Sequence, residues 1–149
     1  MDQPDALLSR ARERATALNL PYAGALTPAE AHALTRHGAR LVDVRTRAEW
    51  EFVGRPPEAL LIEWNTWPGS VRNPSFADEL RAAIPPSDTP VMFLCRSGGR
   101  SHNAAVLAAQ LGYTQAFNIL EGFEGDKDPE GHRGTLGGWR KAGLPWTQG

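Results

Sequence analysis

Cysteine is nearly absent from this chain: its 149 residues hold one, Cys95. A single thiol excludes an intrachain disulfide and a thiolate-based structural zinc site. It also excludes an intramolecular resolving thiol, so any redox or sulfur chemistry has to exchange with partners in solution. Long apolar runs are missing too. The first twenty residues include Asp2, Asp5 and Glu13 and never build an apolar h-region. No later stretch approaches the roughly 18 apolar residues of a membrane span, so neither a signal peptide nor a transmembrane helix is expected, and the cytoplasm is the default location. Charge of one sign is not in excess: 16 basic and 17 acidic side chains leave a net charge of -1, with no general attraction to nucleic acid or anionic lipid. The basic-rich stretch Arg10, Arg12 and Arg14 is interrupted by Glu13, and Arg10 and Arg14 at helical spacing read as a solvated helix face.

What is present is an ordinary globular composition, 41% hydrophobic and 22% charged, in a length that suits one domain. Leu7, Leu8, Ala11, Ala15 and Leu18 recur at helical spacing over residues 5–18, ahead of Pro21. Thr27-Pro28-Ala29-Glu30 is a capping box with proline at the first helical position, opening a helix that should run to His37 and stop at Gly38. Thr46-Arg47-Ala48-Glu49 is a second capping box, and Asn73-Pro74 opens a further helix closed by Pro85-Pro86. Short apolar runs at 40–44, 60–63, 90–95 and 115–120 read as strands. Strands alternating with helices predict an α/β fold with a largely parallel sheet. Residues 121–138 are glycine-rich and charged and read as a long loop.

The chemistry concentrates at Cys95, at the carboxyl end of the clearest buried strand, where ligands bind in open α/β sheets. In the following residues, Arg96-Ser97-Gly98-Gly99-Arg100-Ser101, the glycines let the backbone curl so that successive N–H groups face one concavity. A helix beginning near Ser101 adds its positive end, favouring the nucleophilic thiolate. Arg96 and Arg100 suit an anionic substrate. A core cysteine needs none of this. Asp43 at a strand end reads as a partner for loop N–H groups and Arg45 as a partner for Glu49 four residues on, both structural. Trp50, Trp64, Trp139 and Trp146 read as packing residues, whereas Trp67 lies in a loop and is the exception. Asp126-Lys127-Asp128-Pro129-Glu130-Gly131 mimics the start of a calcium loop, but position twelve is Gly137, which cannot supply the closing carboxylate. No metal and no cofactor is expected.

The stretch from Cys95 to Ser101 resembles the active-site loop of single-domain rhodaneses. Leu41-Val42-Asp43-Val44-Arg45, with Glu49-Trp50 and Gly54, resembles the family's first signature, and Gly138-Trp139 with Gly143-Leu144-Pro145-Trp146 its closing one. The resemblance runs from about Gly24 to Trp146 and implies a rhodanese-like fold, a central five-stranded parallel sheet flanked by helices. Residues 1–23 are then an N-terminal helical extension and 24–149 the rhodanese domain, with a loop insert at about 124–137. Gly54-Arg55-Pro56-Pro57-Glu58-Ala59 departs from the family's usual turn.

The resemblance further implies a sulfurtransferase. Cys95 would be catalytic, taking sulfane sulfur from a small anionic donor such as thiosulfate and passing it to a thiol, to cyanide or to a protein. Arg96, Ser97, Gly98, Gly99, Arg100 and Ser101 would bind the transferred sulfur and its donor. A phosphatase or arsenate reductase on the same fold is the enzyme alternative. Those families place five residues between the cysteine and the loop-closing arginine, against four between Cys95 and Arg100. A protein-to-protein sulfur relay, with another protein's persulfide as the donor, and a non-catalytic interaction module are the other readings. The insert is expected to form a lid or wall beside Cys95.

Overall fold

The computed structural model describes residues 3–69 and 71–148; residues 1, 2 and 149, the outer ends of the two expected segments, lie outside them. Helix α1 spans Pro4–Leu18, with Pro4 in its first turn and a left-handed Asn19 closing it. Strand β1 (Gly24–Leu26) follows. Then come α2 (Pro28–Thr35), β2 (Arg40–Asp43) and α3 (Arg47–Phe52). The next elements are β3 (Leu60–Leu61), β4 (Asn65–Thr66), β5 (Val71–Arg72) and α4 (Phe76–Ala83). Last are β6 (Val91–Leu94), α5 (Gly99–Gln110) and β7 (Ala116–Ile119).

The main sheet has five strands in the order β1-β7-β6-β2-β3, all parallel. Strand β6 is central and buried along its whole length, which accounts for its unbroken apolar sequence. Two apolar clusters cover the sheet's faces. One gathers Val42, Val44, Phe76, Leu80, Phe93 and residues of α5, and the other Leu26, Leu34, Leu41, Leu94, Phe117 and Trp139. Both capping boxes form, with Thr27 accepting from the Glu30 N–H and Thr46 from the Glu49 N–H.

Three expectations change. The basic face of α1 is solvated at Arg10 and Arg12 but not at Arg14, which makes a two-pronged pair with the buried Glu30, at 2.6 and 3.0 Å, and also donates to the Ala25 carbonyl. Close packing of α1 on β1 also leaves no room for a side chain at residue 24, where a Cβ would lie 2.5 Å from the Ala11 oxygen. Arg45 pairs not with Glu49 but with Asp43, both fully buried, through a shortest contact of 2.6 Å. Arg45 precedes the extended N-cap Thr46, so it is not on the helix and the four-residue rule does not apply to it. Finally, Asn65–Thr66 and Val71–Arg72 pair as the small antiparallel β4–β5 ladder, which no apolar periodicity announced.

Candidate active site

Strand β6 delivers Cys95 to the carboxyl edge of the sheet, and the backbone then curls through residues 96–98 into α5. Gly98 is the N-cap, at φ 115°, a left-handed conformation natural only to glycine. The helix starts at Gly99, two residues before the expected Ser101. Inside the curl the Gly98 N–H donates to Cys95 Sγ at 3.1 Å, and Ser101 Oγ lies 3.3 Å from the same sulfur. Cys95 is 1% exposed and Ser101 is fully buried.

The rear of the curl is held by the turn after β7. Phe123 N–H donates to the Cys95 carbonyl at 2.8 Å, and the N–H groups of Glu124 and Gly125 donate to the Arg96 carbonyl at 3.0 and 3.2 Å. Tying these carbonyls backwards leaves the next N–H groups free to face the sulfur. The close approach requires Gly122: at φ 64° a Cβ there would sit 2.5 Å from the Cys95 oxygen and 2.6 Å from the Arg96 carbonyl. The start of the expected insert is therefore a brace for the loop. Within it, Asp128 accepts from the N–H groups of Glu130 and His132 and from Thr135 Oγ1, a self-contained polar turn. Among the described residues no cluster of His, Cys, Asp and Glu could hold a metal ion.

The two loop arginines have different surroundings. Arg100 makes a two-pronged ion pair with Glu49, at 2.7 and 2.9 Å. Burial alone would raise the Glu49 pKa, but the Arg100 hydrogen bonds and charge, with the Thr46 N–H, outweigh it and hold the carboxyl down at about 2. Burial likewise opposes the Arg100 charge, and Glu49 more than compensates; Arg100 is also within Coulombic reach of Cys95. Arg96 is exposed, and no hydrogen bond or ion pair engages its side chain among the described residues. A cleft of about 490 Å³ runs beside the loop, lined by Thr46, Glu49, Phe52, Trp67, Arg96 and Arg100 among others. Its rim is apolar, with Phe52 78% and Trp67 66% exposed.

The Asp43–Arg45 pair fixes the neighbouring segments. Asp43 accepts from Trp50 Nε1 at 2.7 Å, while Arg45 donates to the Gly54 carbonyl at 2.7 Å and lies over the Phe123 ring at 4.3 Å. It ties β2, α3 and the post-β7 turn together.

Of the residues expected at the site, the fold gathers Cys95, Gly98 and Ser101 around the sulfur and turns Arg96 and Arg100 toward the cleft. Glu49 was read as a capping-box and signature residue but not as part of the site, and Asn118 was not singled out. Asn118 accepts from Ser101 Oγ at 2.5 Å; its signal was a lone amide inside the buried run Ala-Phe-Asn-Ile.

A parallel five-stranded sheet with a cysteine loop between a central strand and a helix is the rhodanese arrangement. The rhodanese-like domain family matches residues 27–128, and the chain belongs to that family. Its fold is similar to the crystal structure of Rv0390 from M. tuberculosis (TM-score 0.77, 50% identity, covering 86% of this chain and 99% of that one). By sequence it is 35% identical over 119 residues to the RP600 homolog of Rickettsia rickettsii, covering 76% of this chain and 86% of that one. It is 35% identical over 101 residues to the thiosulfate sulfurtransferase GlpE of Pseudomonas syringae, covering 66% and 82%. No helix among the described residues is long and apolar enough to cross a membrane.

Proposed function

We propose that this protein is a sulfurtransferase that carries sulfane sulfur as a persulfide on Cys95. The observation that carries the reading is the position of Cys95 Sγ inside a curl whose Gly98 N–H already points at it. In the first half-reaction the thiolate attacks the outer sulfur of thiosulfate. A bond forms between Sγ and that sulfur, the sulfur–sulfur bond of the donor breaks, and sulfite leaves with the electron pair. In the second half an acceptor attacks the outer sulfur of the persulfide. With cyanide the product is thiocyanate, and the Cys95 thiolate is regenerated. The loop N–H groups and the helix end are fixed dipoles suited to the negative charge on the sulfur in both states. No cofactor enters this scheme.

Arg96 is the cation that meets the donor anion in this mechanism, since Glu49 neutralises Arg100. The same pairing weighs against a phosphatase, whose loop-closing arginine must be free to clamp a tetrahedral oxyanion. The reaction needs a reduced thiol, which is the argument for placing it in the cytoplasm. A protein acceptor is the second reading, favoured by the exposed Phe52 and Trp67 on the cleft rim. The test is steady-state transfer from thiosulfate to cyanide and to a dithiol. The parent enzyme turns over and Cys95→Ser does not; a serine variant at the parent rate removes Cys95 from the reaction.

A further inference from the structure

Behind the sulfur a chain of buried polar groups leads away to the N-terminal segment of the protein. Ser101 Oγ is 3.3 Å from Cys95 Sγ and 2.5 Å from Asn118 Oδ1. Asn118 Nδ2 donates to the Gly98 carbonyl at 3.3 Å, which sets the orientation of the amide. The Asn118 amide is also close enough to the Tyr22 phenol to offset part of the rise that burial gives the phenol pKa. Tyr22 OH in turn meets His102 Nδ1 at 2.7 Å, and the two rings stand edge to face with centroids 5.3 Å apart. Ser101, Asn118 and Tyr22 are 0%, 5% and 6% exposed, so water offers them little alternative. Tyr22 comes from the loop before β1, Asn118 from β7, and Ser101 and His102 from α5. Four polar side chains from three segments converge in an otherwise apolar core.

A serine hydroxyl has one proton and two acceptor sites. The shorter contact assigns that proton to Asn118 Oδ1, leaving a Ser101 lone pair toward the Cys95 thiol. At the far end the phenol stands between the Asn118 amide and His102 Nδ1. When Cys95 is a thiolate or carries the outer sulfur, Ser101 can instead turn its proton to the sulfur, and only a rigidly held Asn118 keeps Oγ within reach for both states.

We propose that Tyr22 and Asn118 are positioning residues that act on Cys95 through Ser101, coupling the segment before β1 to the reactive sulfur. The inference rests on the sulfurtransferase reading for its catalytic meaning, but not for its test. The charged and titratable groups around the sulfur are Arg96 in the loop, Arg100 and His102 on α5, Glu49 on α3 and the Asp43–Arg45 pair beside β2. Tyr22→Phe and Ser101→Ala leave all of them in place, and His102→Ala changes only the last member of the chain.

The experiment is the pH profile of Cys95 alkylation by iodoacetamide in the parent, Tyr22→Phe, Ser101→Ala and the double variant. Ser101→Ala removes a donor to the thiolate and should slow alkylation near neutral pH about tenfold, the scale of one hydrogen bond to a charged group. Tyr22→Phe keeps the ring in the core and removes only the hydroxyl that meets His102 and the Asn118 amide, so the profile should move the same way by about threefold, the scale of one neutral hydrogen bond. His102→Ala, at a half-buried position, should reproduce the Tyr22→Phe shift. The double variant Tyr22→Phe/Ser101→Ala should match Ser101→Ala alone, because both act through one hydroxyl. A Tyr22→Phe profile superimposable on the parent, or effects that simply add, would overturn the proposal. Failure of the parent to take up sulfur from thiosulfate would defeat the sulfurtransferase reading and leave the alkylation result to judge this one.

Discussion

Glu49→Gln isolates the ion pair beside the sulfur loop. The Glu49 carboxyl has an ordinary pKa of 4.5 and is held at about 2. The difference of about 2.5 units corresponds to roughly 3.4 kcal/mol. Glu49 is 18% and Arg100 21% exposed, so solvent screening reduces this to about 2–3 kcal/mol. Because the folded-state pKa is depressed, the contribution is fully present above the unfolded value of about 4.5. It is lost as pH falls through the folded value of about 2. Glutamine preserves the length of the side chain but removes the charge. Urea unfolding of parent and variant at neutral pH should therefore differ by about 2–3 kcal/mol, with most of that gap closed at about pH 2.5. The variant also releases Arg100 toward the cleft, and its KM for thiosulfate should fall. A stability gap of equal size at both pH values would refute the reasoning, because it would trace the loss to packing or capping instead of charge.

Two further outcomes follow from the loop and its brace. Arg96→Ala should raise the KM for thiosulfate about tenfold, as expected for losing one contact to a charged group, with kcat little changed. The comparison is a neutral persulfide donor, for which KM should stay near the parent value; equal losses would make Arg96 structural. Gly122→Ala forces a Cβ onto the Cys95 and Arg96 carbonyls and should cost on the order of 2–3 kcal/mol together with most of the transfer activity. Gly131→Ala is the control: its φ is 82° but nothing lies within 4 Å of the added Cβ. It should cost only about 1 kcal/mol, read from denaturant midpoints.

The sulfur loop was legible in the sequence because all its parts are local: a strand end, a glycine pair and a helix start within seven residues. Both capping boxes were legible for the same reason, being contacts three residues apart. What holds the loop in place is not local. Glu49 reaches Arg100 from another helix, the 122–125 turn reaches the Cys95 and Arg96 carbonyls from beyond β7, and Asn118 reaches Ser101 from the next strand. Hydrophobic spacing carries no information about such pairs. Arg45 shows how a local rule fails: the four-residue pairing presumes a helix, and Arg45 stands just before one. Strand β1 was missed because Gly-Ala-Leu is too short to show any period. The resemblance to rhodaneses supplied the fifth strand that the residues alone had not. Arg14 was placed in solvent because its partner, Glu30, sits in the capping box of a different helix and is brought to it only by the fold.

The central claim is that Cys95 carries the sulfur, and intact-protein mass measurement tests it most directly. The protein is purified without reductant, incubated with thiosulfate, freed of small molecules and weighed before and after addition of cyanide. The account predicts an addition of about 32 Da, one sulfur atom, located on the peptide containing Cys95, lost with cyanide and absent from Cys95→Ser. An unmodified mass after thiosulfate, in protein whose Cys95 still alkylates, would contradict it.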